Sequence, residues 1–410
     1  RHHRAWAAPS SGGAGKEKRG PFVATSPHLM NKRDFARNLS QSMTRADWSD
    51  RTVEAALRRR FPPSLQNSVR ALASDIVTDL PGRYAPPPGR VADRLMTLAA
   101  FARIWRSCKR RDVWPSPDLT EPQMAPIDAF SRLDLPSITT VAALADWLFV
   151  PPDRLDYLAD PHHRFERHDE MAVNHYHYHL QEKRGPGLRL IEAPKPGLKA
   201  LQRHILHGIL DVLPAHRHAF GVVKGRSVVE AAARHAGEEV VLRFDLKNFF
   251  PEVPAGRIFG LFRCLGYPHE VSRLLTALST TATPPRVLAR LAASDRPTYR
   301  APHLPQGAPT SPALANQMCF GLDQRLAGLA IRVGANYSRY ADDLSFSGDA
   351  RIVRALTKAV PEIIASEGFR LNAAKTKVMR HGLRKTVTGL VVNAHGNVDR
   401  RDFDRLKAVI

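Results

Sequence analysis

The chain has 410 residues, with 61 Lys and Arg against 39 Asp and Glu, and a formal net charge of +22. This length allows two or three domains, and the charge favours a polyanionic partner because each neutralised phosphate releases counterions. The three cysteines are scattered, no apolar run approaches the ~20 residues of a membrane span, and no secretory signal is visible. These features argue against a transmembrane or disulfide-rich secreted protein, and we expect a cytoplasmic location without a membrane partner.

The first third of the chain divides into an arm and a helical region. Residues 1–30 are rich in Gly, Ser, Pro and basic residues, which predicts a disordered basic arm. In residues 31–130, apolar residues recur at three- and four-residue intervals between Pro-rich joints, which predicts a helical N-terminal extension. The pattern does not indicate what this extension does. Independent binding of DNA or of a partner protein stays open.

The next elements mix helices and strands. Ser137 is a candidate N-cap for a helix over residues 140–149, and Pro151 begins another short helix. Alternating residues 176–180 and 188–191, around a Gly-Pro-Gly turn at 185–187, predict a β-hairpin. Helices are further predicted at 198–210, 255–265, 312–329 and 350–367, and strands at 240–245, near 340 and at 386–392. The expected fold class is α+β with a central antiparallel sheet.

Three histidines in the predicted hairpin could suggest a metal site. His175, His177 and His179 alternate along the sequence and would face one side of a strand. Tetrahedral sites usually add Cys or carboxylate ligands from a second element, and no such pair is obvious. We therefore favour ordinary strand residues over a metal site.

Three carboxylates lie where predicted strands end. Asp245 closes the apolar run 240–244, and Asp342 and Asp343 lie between two apolar stretches. A hairpin that brings Asp342 beside Asp245 would juxtapose like charges, which is costly without a bound cation. Two Mg²⁺ ions about 3.5–4 Å apart can activate an attacking 3′-oxygen and stabilise a leaving pyrophosphate. The pattern therefore predicts nucleotidyl transfer with two Mg²⁺ ions.

The segment 304–312 lies between these carboxylates and is rich in Pro and Gly. Small residues allow the backbone to approach a flat ligand closely, and Pro312 is suited to the start of a helix. A base pair or an incoming nucleotide could rest against such a loop. A plain Pro- and Gly-rich surface loop is the alternative interpretation.

In this order the segments resemble the catalytic motifs of reverse transcriptases. The Asp245 block resembles the first motif, Pro305-Gln306-Gly307 the second and Tyr340-Ala341-Asp342-Asp343 the third, and Asn372 to Thr376 resembles the lysine motif that follows. The resemblance implies that Phe250 excludes a ribonucleotide 2′-hydroxyl and that Arg189 grips the triphosphate of a dNTP. The implied catalytic residues are Asp245, Asp342, Asp343 and Lys375; the implied metal site is Asp245, Leu246, Asp342 and Asp343; the implied substrate site is Arg189, Phe250, Gln306 and Gly307.

Within that superfamily, three further stretches resemble the bacterial retron reverse transcriptases. They are Leu198-Lys199-Ala200-Leu201-Gln202, Ala219-Phe220-Gly221 and Val387-Thr388-Gly389. The resemblance implies RNA binding by Val387, Thr388, Gly389 and His235. One departure concerns this role, since Ala231 stands where the family commonly has Asn.

The resemblance implies a right-hand fold, with fingers and palm over residues 135–393, an antiparallel palm sheet and only the start of a helical thumb at 394–410. It implies copying of a structured noncoding RNA into branched, RNA-linked DNA (msDNA), primed from a guanosine 2′-hydroxyl, in anti-phage defence. The RNA, its DNA copy and dNTPs are the expected partners, and an effector protein encoded nearby is a candidate partner. A group II intron-like or diversity-generating reverse transcriptase and a catalytically silent RNA-binding scaffold are the alternatives.

Overall fold

The computed structural model describes residues 31–45, 48–81, 85–86, 88–115, 122–161, 174–182, 188–380, 382–397 and 407. The predicted arm at 1–30 and the predicted turn at 185–187 lie outside the described residues, as does most of the predicted thumb segment at 394–410. The chain divides into two compact units, Arg1–Thr120 and Glu121–Ile410. The division falls ten residues before the predicted end of the extension at 130, because Met124 and Phe130 pack against the core of the second unit.

The described part of the first unit is helical, as the spacing of its apolar residues predicted. Its largest buried side chains, among them Phe35, Phe101, Met43 and Leu57, form one apolar core. Ser49 caps the second helix by accepting a hydrogen bond from the Thr52 amide. The helices are α1 (Lys32–Arg45), α2 (Asp50–Arg58), α3 (Gln66–Asp79), α4 (Pro88–Leu95) and α5 (Ala99–Arg111), with a 3₁₀ turn at Pro63–Leu65.

The second unit begins with short helices and a hairpin. Helix α6 (Val141–Trp147) is capped by the Thr140 hydroxyl, which accepts from the Ala143 amide, so the predicted N-cap at Ser137 is wrong by three residues. Helix α7 (Pro152–Ala159) begins after Pro151 as predicted. The predicted hairpin is confirmed: β1 (Tyr176–Glu182) pairs antiparallel with β2 (Leu188–Pro194).

The three histidines at the β1–β2 hairpin have different environments. His175 is buried before β1 and its Nε2 lies 2.7 Å from the Tyr157 carbonyl oxygen, whereas His177 and His179 are exposed. Among the residues that the structure describes, no group of three or more His, Cys, Asp or Glu has a metal-binding arrangement in this conformation. His177 and His179 thus lie in β1, and His175 lies just before it.

Helix α8 (Pro196–Ile205) continues into a π-helical turn at Leu206–Leu210, where a regular helix was predicted. Trp147 packs against this turn so closely that a Cβ on Gly208 would lie 2.5 Å from its ring. A single π turn inside a helix commonly accommodates such a local irregularity. Tertiary packing thus accounts for the departure from the predicted helix.

The predicted central antiparallel sheet is confirmed, and in the described chain it has four strands. Its strand order is β4-β5-β3-β6, in the part of the chain that the structure describes. The strands are β3 (Val240–Asp245), β4 (Asn336–Tyr340), β5 (Asp343–Gly348) and β6 (Lys377–Met379). Because β3 is central and buried on both faces, it reads in sequence as a nearly continuous apolar run.

Helices cover this sheet and complete the core. The segment predicted as one helix at 312–329 is two helices that meet at Cys319. The bounds are α9 (Val228–Ala233), α10 (Ala255–Cys264), α11 (His269–Ser279), α12 (Pro285–Leu288), α13 (Arg296–Arg300), α14 (Ser311–Met318), α15 (Phe320–Val333) and α16 (Ile352–Ser366), with 3₁₀ turns at Asp128–Phe130 and Ala373–Lys375.

A small hairpin forms near the end of the described chain. Strand β7 (Thr386–Val387) pairs with β8 (Leu390–Val391) through a two-residue turn in which Thr388 and Gly389 both have positive φ. Two positive-φ residues are what a tight, right-twisted hairpin turn requires. Within the described residues, no helix is long and apolar enough to cross a membrane. The second unit is therefore α+β with a central antiparallel sheet, as predicted, and follows a helical unit in the chain.

Candidate active site

The three predicted catalytic carboxylates meet at one end of the central sheet. Asp245 is the last residue of β3, Asp343 is the first residue of β5, and the two are directly paired in the antiparallel register. Asp342 lies in the turn between β4 and β5, and its carbonyl oxygen accepts a hydrogen bond from the Leu246 amide (2.9 Å). The register of this hairpin therefore brings together residues that are about a hundred positions apart in sequence.

Two of these carboxylates are bonded to cationic side chains. Lys375 Nζ and Asn372 Nδ2 each donate to Asp245, at 2.8 Å, and bind different carboxylate oxygens. One guanidinium nitrogen of Arg243 lies 3.0 Å from both carboxylate oxygens of Asp343. Arg243 reaches Asp343 because the two residues are diagonal neighbours across the β3–β5 pair.

Asp342 has a different electrostatic environment. Burial raises the pKa of its carboxyl to about 6, and the neighbouring charges of Asp343 and Asp245 act in the same direction. A carboxylate that is desolvated beside two others is stabilised by a nearby positive charge. Among the three carboxylates, the negative charge of Asp342 is therefore the least balanced by neighbouring positive charge.

The backbone of Gly221 packs directly against the turn that carries Asp342. Ala341 has a positive φ of 54°, and a Cβ on Gly221 would lie 2.3 Å from the Ala341 nitrogen. No side chain larger than hydrogen fits at this position without moving the turn. The Gly221 carbonyl accepts a hydrogen bond from Asn316 Nδ2 (3.0 Å).

A buried ion pair completes this support. Arg339 and Asp323 are both fully buried, and the Arg339 guanidinium binds both carboxylate oxygens of Asp323 at 2.7 and 2.8 Å. The same guanidinium donates to Asn316 Oδ1 (3.0 Å) and to the Ala341 carbonyl (3.1 Å). The ion pair thus connects helices α14 and α15 to the backbone of the catalytic turn.

The predicted substrate residues lie on two connected segments. The Gln306 carbonyl accepts from the Glu192 amide on β2 (2.9 Å), and a Cβ on Gly307 would lie 3.1 Å from the Glu192 carbonyl oxygen. Loop 305–307 is thereby fixed to the strand that carries the exposed Arg189. Phe250 is partly buried and its ring contacts that of Phe249 at 5.1 Å.

The loop after Phe250 runs beside the segment that leads to Gln306. The Leu304 amide donates to the Val253 carbonyl (3.1 Å), and the Ala255 amide donates to the Pro302 carbonyl (2.9 Å). Glu192 is fully buried and accepts from the Thr283 hydroxyl (2.7 Å), with His303 Nε2 at 2.9 Å from its other oxygen. These contacts place Arg189, Phe250 and loop 305–307 in one connected framework.

The predicted RNA-binding residues divide into buried and accessible groups. His235 is fully buried, with its two ring nitrogens 2.8 and 2.7 Å from the hydroxyls of Ser347 and Ser338. Its assignment as a direct RNA contact is therefore corrected: in this conformation the ring joins α9 to strands β4 and β5. The Val387 side chain is also buried, whereas Gly389 is exposed and Thr388 partly exposed.

Sequence reasoning missed the residues that hold the carboxylates in place. Arg243 precedes Asp245 by two residues and therefore shares its strand face. A charged residue inside an otherwise apolar strand is the signal that could have revealed Arg243. Arg339 lies in the polar sequence of β4 and carries no such signal. Asp323 and Asn316 lie on helices without such a signal.

The donor types at this sheet end are those that hard divalent cations prefer, although in this conformation the three described carboxylates are not arranged as a metal-binding group. Mg²⁺ is bound by oxygen ligands, usually one or two carboxylates together with substrate phosphates. Asp245, Asp342 and Asp343 supply the carboxylates, and burial together with the two neighbouring carboxylates raises the pKa of Asp342. Leu246 contributes only main-chain atoms, since its side chain is buried.

The comparison with known families agrees with this geometry. A family model described as reverse transcriptase (RNA-dependent DNA polymerase) matches residues 181–395, just over half of the chain. This match contains all three carboxylates and the loop 305–307. The chain therefore belongs to the reverse transcriptase family.

Three relatives narrow the assignment. The retron Mx162 reverse transcriptase of Myxococcus xanthus is 41% identical over 274 residues, covering 64% of this chain and 55% of that protein. The retron Mx65 reverse transcriptase of Myxococcus xanthus is 43% identical over 246 residues (58% and 56%), and the retron Ec86 reverse transcriptase of Escherichia coli is 35% identical over 241 residues (57% and 69%). The chain belongs to the bacterial retron reverse transcriptases.

The extent of these matches is limited. The chain spans little more than half the length of the Mx162 and Mx65 proteins. A solved telomerase structure from Candida albicans aligns with a TM-score of 0.38 and 11% identity, over 54% of this chain and 45% of that chain. That overlap is too low to support an argument about this chain.

Proposed function

We propose that this protein is an RNA-directed DNA polymerase that extends a primer with dNTPs on an RNA template. The observation that carries the proposal is the meeting of Asp245, Asp342 and Asp343 at one end of the sheet. Three carboxylates held together by two strand ends suit metal-assisted nucleotidyl transfer better than a catalytically silent scaffold. The +22 charge of the chain is consistent with a nucleic acid partner.

Asp245, Asp342 and Asp343 would hold two Mg²⁺ ions, with the Leu246 main chain as a further oxygen donor. When bound, such ions lower the pKa of the attacking hydroxyl and neutralise charge on the leaving pyrophosphate. Arg243 orients Asp343 through its two contacts. Lys375 is bonded to Asp245 in this structure, and we assign to its ammonium the neutralisation or protonation of the departing pyrophosphate.

Around this centre, we assign Arg189 to the triphosphate and Phe250 to discrimination against a ribonucleotide 2′-hydroxyl. A guanidinium on an exposed strand position can bind phosphate oxygens in a bidentate manner. Gln306 and Gly307 would line the template and nucleotide pocket. The fixed connection of loop 305–307 to β2 supports this assignment, since a preorganised pocket lowers the cost of ordering on binding.

The similarity to retron reverse transcriptases also supports a proposal about the RNA template. We infer that the template is a structured noncoding RNA, primed from a guanosine 2′-hydroxyl and copied into branched, RNA-linked DNA in the cytoplasm for anti-phage defence. Thr388 and Gly389, at the accessible tip of the β7–β8 hairpin, would contact this RNA. An effector protein encoded nearby is a proposed partner.

The substitution Asp342→Asn tests the catalytic assignment. It removes one carboxylate charge at nearly constant volume, so we expect primer extension to fall by at least about a thousandfold while RNA affinity is retained. Asp349→Asn is the matched control, because Asp349 lies just beyond the opposite end of β5 and pairs with Arg351 at the surface. Normal primer extension by Asp342→Asn would refute the metal assignment.

A second experiment tests the retron assignment separately. The protein is co-expressed with the RNA encoded beside its gene, and nucleic acid is recovered after RNase treatment. We expect DNA attached to a guanosine through a 2′ branch. Ordinary primer extension without any branched product would contradict retron-type priming but leave the polymerase assignment intact, and it would favour an intron-like enzyme.

A further inference from the structure

Helix α5 of the first unit carries an unusual set of exposed cations. Arg103, Arg106 and Arg110 recur at three- and four-residue spacing and therefore share one face of the helix. Lys109 and Arg111 flank them, and all five side chains are exposed. The opposite face, with Ala100, Phe101, Ile104 and Cys108, is buried in the core of the unit. We call Arg103, Arg106 and Arg110 the α5 stripe.

The stripe differs in its ion pairing from four arginines on the preceding helices of this unit. Arg37, Arg58, Arg70 and Arg94 each lie within 3.5 Å of a carboxylate oxygen on Asp34, Glu54 or Asp79. In the part of the chain that the structure describes, no cation of α5 forms an ion pair with a carboxylate. The nearest acidic residue in sequence, Asp112, accepts a hydrogen bond from the Trp114 indole (2.9 Å).

The stability of helix α5 does not account for the α5 stripe. Like charges at these spacings destabilise a helix by a few tenths of a kcal/mol per pair, and no carboxylate offsets them. The helix dipole favours cations in the last turn, which accounts for Lys109, Arg110 and Arg111 but not for Arg103 and Arg106. An external anion would remove the repulsion.

The chemistry of the stripe identifies the class of this anion. A membrane-surface helix needs an exposed apolar face, and the apolar face of α5 is already covered by its own core. A protein interface normally has an apolar centre, which the stripe lacks. Guanidinium groups along one line are suited to binding phosphate oxygens. The stripe extends over about 10 Å. A nucleic acid duplex carries one charge per ~1.7 Å of axis, so several phosphates lie within the length of the stripe.

We propose that the α5 stripe binds the phosphate backbone of a nucleic acid duplex. The inference goes beyond the proposed polymerase activity by assigning a binding face to a unit outside the family match, and it rests on that activity only for the identity of the nucleic acid. Phosphodiesters of RNA and of DNA share the chemistry that the stripe recognises. The paired region of a structured RNA and an RNA–DNA product are therefore both candidate ligands.

The test compares two triple variants of the full chain. Arg103→Gln/Arg106→Gln/Arg110→Gln removes the stripe, and Arg37→Gln/Arg70→Gln/Arg94→Gln removes three charges from the same unit at arginines that are ion-paired. Affinity for duplex RNA, an RNA–DNA hybrid and duplex DNA of one sequence is measured from about 50 to 200 mM KCl, the range over which phosphate contacts are resolved.

We expect the stripe variant to lose about tenfold or more in affinity at low salt and to lower the salt slope by about two to three, since each phosphate contact contributes ~0.9. The control variant is expected to stay within about twofold of the wild type by the same electrostatic argument. The three duplexes distinguish RNA from DNA as the source of the phosphate. Equal affinities and slopes for the two variants would overturn the proposal.

Primer extension on a saturating, preannealed template separates this inference from the proposed function. Both variants are expected to extend the primer at the wild-type rate, because neither changes the carboxylate site. A wild-type protein that binds duplexes through the stripe but extends no primer would refute the polymerase assignment alone. A polymerase with unchanged salt slopes in the stripe variant would refute the stripe alone.

Discussion

The two units of this protein stabilise their interiors in different ways. The buried core of the first unit is almost entirely apolar, and its one buried charged side chain among the described residues, Arg60, donates to Asn38 and Ser42. The second unit buries several charged side chains, among them the pair Arg339–Asp323 at the catalytic turn and, at a separate place, Glu192 beside the substrate loop. These three buried charges lie beside backbone whose position determines the proposed chemistry.

This difference has a physical basis. Burial of an ion pair costs several kcal/mol of desolvation per ion, which attraction repays only with good geometry, so such a pair adds little net stability. A buried pair does, however, leave few alternative arrangements of its surroundings. The first unit requires only a folded helical scaffold, whereas the catalytic turn requires one particular conformation.

The largest expected effect comes from breaking the buried pair. Arg339→Met keeps the volume of the side chain but leaves Asp323 without its partner, and we expect a loss of about 3–5 kcal/mol in the free energy of unfolding. Primer extension should fall as well, because the Ala341 carbonyl loses its donor. Urea unfolding and primer extension measure the two effects.

Leu72→Met in the first unit is the control for that prediction. Leu72 is fully buried in the apolar core, and a volume-conserving exchange there should cost less than about 1.5 kcal/mol. Similar losses for the two variants would contradict the comparison between the units, because it requires the charge, not the volume, to determine the cost.

The second prediction concerns pH and His235. Burial lowers the pKa of His235 to about 3, with a further contribution from Arg234, whereas the unfolded chain protonates near the ordinary value of 6.5. Between these values the unfolded state binds more protons, so stability falls as the pH falls from about 6.5 toward 3, by at most about 1.4 kcal/mol per pH unit.

His235→Gln removes this titration while retaining a side chain that donates and accepts hydrogen bonds. The difference in unfolding free energy between wild type and variant should therefore shrink as the pH is lowered from 7 to about 5, because only the wild type carries the His235 penalty. A wild-type pH dependence that is unchanged in the variant would show that His235 does not sense pH.

The smallest effect is expected at a helix end. Phe149 follows α6 in the left-handed region (φ 56°) and is 83% exposed, although Gly is the preferred residue there. Phe149→Gly should raise the free energy of unfolding by about 1 kcal/mol through relief of this strain. Asp112→Gly at the end of α5 (φ 52°) should gain less, because Asp tolerates the left-handed region.

Thermal unfolding of the two glycine variants measures this difference. A larger gain for Asp112→Gly than for Phe149→Gly would contradict the assignment of strain to the aromatic residue. It would instead point to the contact between the Phe149 and His204 rings, 5.6 Å apart, as a stabilising interaction.

Much of the fold followed from local patterns. The hairpin β1–β2, the antiparallel sheet and most helices were predicted, because apolar periodicity and turn residues act over a few positions. The π turn at Leu206–Leu210 was not predicted, because packing against the distant Trp147 accompanies it. The N-cap at Thr140 and the break at Cys319 were also missed. The predicted roles of the site residues in catalysis and substrate binding stay predictions.

The sequence by itself determined the family and the position of the three carboxylates at strand ends, since strand pattern and turn chemistry are local properties. Only the tertiary structure decided their partners: Arg243 on Asp343, Lys375 on Asp245, and the pair Arg339–Asp323 beneath the turn. It also placed His235 in the interior, where sequence had indicated an RNA contact. These contacts join residues about 16 to 130 positions apart in the chain. They depend on strand register and on which segments pack together, and no local sequence pattern specifies either.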